Sequence, residues 1–98
     1  MTIIHVKKNT GKFAENKDIA RSLRTEELLP ALHRSENIII DFEGVEVATQ
    51  SFMHALLSEA IRTFGNDLFE KVEFKNCNES VQQIISVVAN YMQENMEE

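Results

Sequence analysis

The sequence predicts a single α/β domain built on a small, mostly parallel sheet of three to four strands with about three helices. Three observations predict it. The chain has 98 residues, the size of one ordinary domain. Its strongest apolar block, Ile38-Ile39-Ile40, reads as an interior strand. Helical periodicity follows that block and recurs after a further alternating segment, and strands alternating with helices give parallel crossovers.

The elements follow in order. Thr2 to Lys8 mixes β-branched residues with alternating polarity and predicts a first strand. Asn9-Thr10-Gly11 signals a turn, and Lys12-Phe13-Ala14 returns as a short second strand. Asp18 is placed to cap a helix whose apolar stripe begins at Ile19, Ala20 and Leu23 and resumes at Leu28, Leu29 and Leu32. Pro30 lacks an N–H and clashes with the preceding turn, so a kink or a restart capped by Thr25 is expected.

Asn37 to Phe42 is the central strand, apolar on both faces and so expected to have helices on both sides. Gly44 marks a turn, and Val45 and Val47 lead to Thr49-Gln50-Ser51. Met53, Leu56, Leu57, Ala60, Ile61 and Phe64 then stand at helical spacing from Ser51 to Phe64, and Gly65-Asn66 ends that helix. Lys71 to Lys75 alternates as a last strand, with Val72 and Phe74 inward and Glu73 outward. Asn78 or Ser80 caps the final helix, the latter through a capping box, and Val81, Ile84, Ile85, Val88 and Met92 form its stripe. The acidic tail begins at about Glu94 and is expected to fray.

Composition bounds the function. Ten basic residues against sixteen acidic ones give a net charge of −6, which repels phosphate backbones and argues against nucleic acid. Arg21, Arg24, His33 and Arg34 are the best basic patch, but Glu26 and Glu27 among them read as a solvated helix face. A lone cysteine, Cys77, makes no internal disulfide and no zinc cluster. With no signal-like leader and no apolar run near bilayer length, the expected location is the cytoplasm, away from membranes.

Candidate chemistry gathers between Asp41 and His54. The carboxyl end of a central parallel strand is where open α/β sheets place ligand or partner sites. A hydroxyl at a helix N-terminus meets free N–H groups and a positive dipole end, a setting that accommodates a phosphate on Ser51 or an anion beside it, although Thr49 and Ser51 also serve simply as caps. Asp41, Ser51 and His54 define an enzymatic or nucleotide-binding alternative. No orienting acid, oxyanion hole or glycine-rich phosphate loop accompanies them, so the expectation is no enzyme, no cofactor and no metal.

The run Ile39-Ile40-Asp41-Phe42-Glu43-Gly44-Val45, followed by Ser51-Phe52 and a helix of leucine and alanine, resembles the STAS-like domain family, a bacterial family without an established biochemical role. Asp18 to Arg24 upstream, and Asn76, Val81 and Ile84-Ile85 downstream, are similar to it as well, so the likeness covers most of the chain beyond residue 15. The segment also resembles the wider STAS fold of anti-sigma-factor antagonists, in which a strand ending in Asp-x-x-Gly-Val leads to an Asp-Ser-Ser-Gly turn. On that pattern Ser51 stands where a partner kinase phosphorylates serine. Thr49 replaces the Asp, Gln50 the first Ser, and Phe52 the Gly. The family's Ser-Phe-x-Asp-Glu reads here as Ser51-Phe52-Met53-His54-Ala55, without its two acids.

The resemblance implies one STAS-like domain over residues 1–98 that acts as a regulatory protein-interaction module. Its expected partner surface comprises Gly44, Thr49, Ser51, Phe52 and Met53, with Phe52 and Met53 as the apolar anchor and Ser51 as the phosphorylation site. The partner is an unidentified protein, a kinase or a regulator, and a homodimer is compatible with this reading.

Overall fold

A computed structural model describes residues 1–65 and 67–96 of the chain, with side chains described through Tyr91 except at Asn66. Three strands, β1 (Thr2–His5), β3 (Ile38–Asp41) and β5 (Val72–Lys75), form a parallel sheet in the order β1-β3-β5. The predicted short strand exists as β2 (Phe13–Ala14), but it pairs in parallel with β4 (Val47–Ala48) in a separate two-stranded sheet.

The first strand is shorter than its sequence pattern. After His5 the chain turns into a helical turn, α1 (Val6–Thr10), instead of extending to Lys8. Only Val6 in that stretch needs burial, which the helical turn achieves, and Lys7 and Lys8 suit a helix C-terminus. Gly11, at φ 73°, ends the turn in a backbone region that other residues rarely adopt.

Register divides the three-stranded sheet into two unlike faces. Ile38 aligns with Thr2 and Val72, and Ile40 with Ile4 and Phe74. Ile4, Ile38 and Ile40 are fully buried and share a core with Leu28, Phe52, Leu56 and Leu57 from the helices. The alternate residues Ile3, Ile39 and Glu73, then His5, Asp41 and Lys75, occupy the other face. That face is open, with Ile3 46% exposed and Glu73, His5 and Lys75 also exposed. β3 is therefore central in the sheet but covered on one side, not two. The helices that could have covered the second face instead pack on one another, α4 against both α2 and α6.

The cap of α2 (Lys17–Leu23) is Asn16, not Asp18. Asn16 has extended backbone, and its Oδ1 accepts from the Asp18 and Ile19 N–H groups at 2.8 and 3.2 Å. Nor does the chain restart at Thr25. A π-helical turn, Arg24–Leu28, runs into α3 (Leu29–His33), with the Leu29 N–H donating to the Arg24 carbonyl. This wide turn resolves two sequence features together. Pro30 falls in the first turn of α3, where a missing N–H is tolerated. Leu23 and Leu28, five residues apart, both become buried, and the i→i+5 turn brings them closer to one face than ordinary α-helical winding would.

α4 (Gln50–Phe64) is the long central helix, ended by Gly65 at φ 62°. A turn of helix unread in the sequence, α5 (Asp67–Lys71), buries Leu68 before β5. Val72 is buried, Phe74 half-buried and Glu73 exposed, as the alternation predicts. Asn78 caps α6 (Glu79–Met96), its Oδ1 accepting from the Val81 N–H at 2.8 Å, so the Ser80 capping box does not form. Val81 and Val88 are buried and Ile84 and Ile85 pack against the core. The Met92 side chain lies outside the described residues, as do Asn66 and the side chains of the acidic tail. Among the described residues no helix is long and apolar enough to cross a membrane.

Candidate functional site

Asp41 ends the central strand and ties three strand ends together. Its Oδ1 accepts from the Asn76 amide and from the Glu43 N–H, each at 2.9 Å, and its Oδ2 lies 3.4 Å from His5 Nδ1. The Asn76 amide, then the Glu43 N–H, stabilise the carboxylate and hold its pKa below the ordinary value of 3.8, with His5 adding to them. Burial pushes the nearby Cys77 thiol up, and the Asp41 charge pushes it in the same direction. Asp41 thus clamps the C-terminal edge of the sheet.

The segment that follows is held along its length. Val45 N–H donates to the Phe42 carbonyl at 2.9 Å, and Gly44 sits at φ 81° with the Lys7 side chain lying over it. Glu46 N–H donates to the Lys12 carbonyl and Thr49 N–H to the Ala14 carbonyl, at 2.8 and 2.9 Å. From the other side, the Asn78 amide donates to the Glu46 carbonyl at 2.9 Å. Thr49 then caps α4, its Oγ1 accepting from the Phe52 N–H at 3.1 Å. Gly44 and Thr49 therefore have backbone duties here, whatever else they touch.

Ser51 is exposed in the first turn of α4, whereas Phe52 and Met53 are fully buried. The expected apolar anchor is accordingly corrected. Phe52 and Met53 stand four residues before Leu56 and Leu57, so all four share the helix face turned to the core. The apolar side chains that do reach solvent beside this helix start are Phe13 and Val47, 55% and 42% exposed, which are register partners of β2 and β4. Their neighbours Ala14 and Ala48 point inward. Val47 precedes Ser51 by four residues, so the two lie within about 14 Å of one another.

On the flank of α4 a cavity of about 490 Å³ opens between α2, the π-helical turn and α4. Lys17, Arg21 and Arg24 line one wall, and Gln50, Ser51, His54 and Ser58 line the other. Arg24 Nη1 donates to the Ala55 carbonyl at 3.1 Å, while its Nε, 3.2 Å from Glu59 Oε2, is buried without a hydrogen-bond partner among the described residues. It fixes the distance between the two walls. The His54 ring leans toward Tyr91 of α6, with centroids 6.4 Å apart.

Ser51 and His54 thus meet one cavity, but Asp41 does not line it and is held by Asn76, Glu43 and His5. The three-residue alternative, Asp41 with Ser51 and His54, is not assembled. What the structure does bring together, and residue chemistry alone did not, is the α2 cations with the Ser51 hydroxyl. Lys17, Arg21 and Arg24 have the spacing of one helix face, a signal present in the sequence, but the helix that this face meets is set by tertiary packing.

A family model described as a STAS-like domain of unknown function matches residues 20–82, that is 63 of the 98 residues. The matched span runs from α2 into the first turns of α6 and includes Asp41, Gly44, Ser51 and His54, while Phe13 and Lys17 lie before it. No curated protein and no solved structure matches the chain.

Proposed function

The chain belongs to the family of STAS-like domains of unknown function, and on that premise we propose that it is a regulatory protein-interaction module rather than a catalyst. It docks a protein partner through the start of α4 and the β2–β4 pair. Phe13 and Val47 supply the apolar anchor, with Ser51, Gln50 and the Lys12–Glu46 ion pair on the rim. The observation that carries this reading is the exposed, registered Phe13–Val47 pair on the strand that leads, four residues on, to an exposed Ser51. Single exposed apolar residues are common on folded surfaces, but Phe13 and Val47 are paired in register, and an apolar pair with a polar rim has the composition of an interface core.

Ser51 is the control point. A phosphate there adds close to two negative charges within reach of the apolar pair and opposes a partner's burial of that surface. The test uses capture of partner proteins by the tagged chain. A protein retained by the wild type and by Lys75→Ala, but lost with both Phe13→Ser and Ser51→Asp at unchanged melting temperature, supports the reading. Equal capture by all four chains refutes it.

A further inference from the structure

We propose that the cavity between α2 and α4 is a phosphoryl-binding site, with Lys17 and Arg21 as its charged arms and the Gln50 amide and Ser51 hydroxyl as its neutral donors. The inference does not depend on the docking surface at Phe13 and Val47. It begins from a contrast of sign. The chain carries a net charge of −6, yet three of its ten basic residues line one side of a single cavity. Electrostatic focusing in a concavity of one sign draws a compact anion there, against the average field of the molecule.

The arms are available. Lys17 has no ion-pair partner among the described residues. Arg21 meets Asp18 at 3.3 Å, but both groups are well exposed, 57% and 88%, and an exposed pair of this kind is worth little. A phosphoryl group with two charges and three acceptor oxygens competes with it readily. Arg24 instead braces the walls through Ala55 and Glu59, so the cavity exists before any ligand arrives.

The lining adds an independent observation. Arg24 Nε, on the wall of the cavity, is a buried donor with no hydrogen-bond partner among the described residues, although Glu59 Oε2 lies 3.2 Å away. A buried donor left without a hydrogen bond is uncommon, and one in a cation-lined cavity favours an acceptor there. Ser58, only 5% exposed, adds a hydroxyl to the same lining.

Two sources can deliver the same chemistry, a free phosphate monoester or a phosphate carried on Ser51 itself. The experiment uses the full chain, labelled with ¹⁵N at low ionic strength, titrated with inorganic phosphate and with free phosphoserine. Saturable shifts of the Gln50–His54 amides and of the Arg21 side chain are expected. The Lys17→Ala/Arg21→Ala variant weakens binding by about tenfold. Lys8→Ala/Lys75→Ala, with the same change in net charge but outside the cavity, leaves it unchanged. Both pairs are exposed, so each variant keeps the wild-type melting curve. A chain carrying phosphoserine at position 51 that no longer takes up free phosphate assigns the site to the covalent group. One that titrates as before assigns it to a free ester. Shifts that rise linearly with salt, or an equal loss in both double variants, overturn the proposal. Because no partner protein enters the titration, its outcome is separate from that of the docking test.

Discussion

Gly44→Ala is expected to lower stability through the backbone rather than through crowding, and the structure lets the two be separated. Gly44 stands at φ 81°, where an L side chain costs about 1–2 kcal/mol. A stiffer unfolded chain returns about 0.4–1 kcal/mol of that, leaving a net loss near 1 kcal/mol. For a domain of this length the melting temperature then falls by about 5 °C. An added Cβ would also lie 2.5 Å from Lys7 Cδ and 2.9 Å from Lys7 Nζ. Those atoms are the far end of a flexible, exposed side chain, so Lys7 swings aside at little cost. Thermal melts of Gly44→Ala, Lys7→Ala and the double variant test this directly. The expected coupling between the two sites is below about 0.5 kcal/mol, and Gly44→Asn loses less than Gly44→Ala because Asn tolerates positive φ. Full recovery in the double variant would show that contact with Lys7, and not φ, had set the cost; an unchanged melt for Gly44→Ala would show that the turn does not need glycine at all.

Phe52→Ala empties a fully buried position and should cost about 3–5 kcal/mol in a urea titration, whereas Phe13→Ala stays within about 0.5 kcal/mol because its ring is largely in solvent. Thr49→Ala removes the acceptor for the Phe52 N–H and should cost about 0.5–2 kcal/mol in the same titration. Asp41, whose folded pKa is depressed, contributes stability that is complete above its unfolded value and is lost as pH falls through the folded one. The wild type should therefore exceed Asp41→Asn by about 1 kcal/mol at neutral pH, with the gap closing below about pH 4. Melts across pH 2–7, a range chosen to bracket carboxylate titration at roughly pH 4, check this; a gap independent of pH would remove the carboxylate from the clamp.

Much of this architecture can be read from residue order, and the departures have identifiable causes. Ile38–Ile40 marked the middle strand through its run of β-branched apolar residues, yet the pattern could not reveal that only Ile38 and Ile40 are fully buried while Ile39 faces an open side. The cap of α2 shifted from Asp18 to Asn16 because both residue types accept from free N–H groups, and the strand-to-helix approach decides between them. Phe52 and Met53 illustrate a conflict within the sequence itself. Their four-residue spacing to Leu56 and Leu57 pointed to the core, while their place after Ser51 suggested a surface anchor, and burial follows the spacing. The cation-lined cavity was half legible. Lys17, Arg21 and Arg24 fall on one face by count, but their meeting with Ser51 depends on how α2 crosses α4.

The wide turn at Arg24–Leu28 also sets an angular phase along the chain. Each residue of an α-helix advances the side-chain direction by about 100°, so deleting one residue from that turn would rotate everything after it relative to everything before. Leu28, Ala31 and Leu32 could then face the sheet only if Lys17 and Arg21 swung away from α4, or the reverse. One surplus residue lets a single rod of helix serve two surfaces that ordinary winding would keep out of step, and a length change there should disturb packing and anion recognition together.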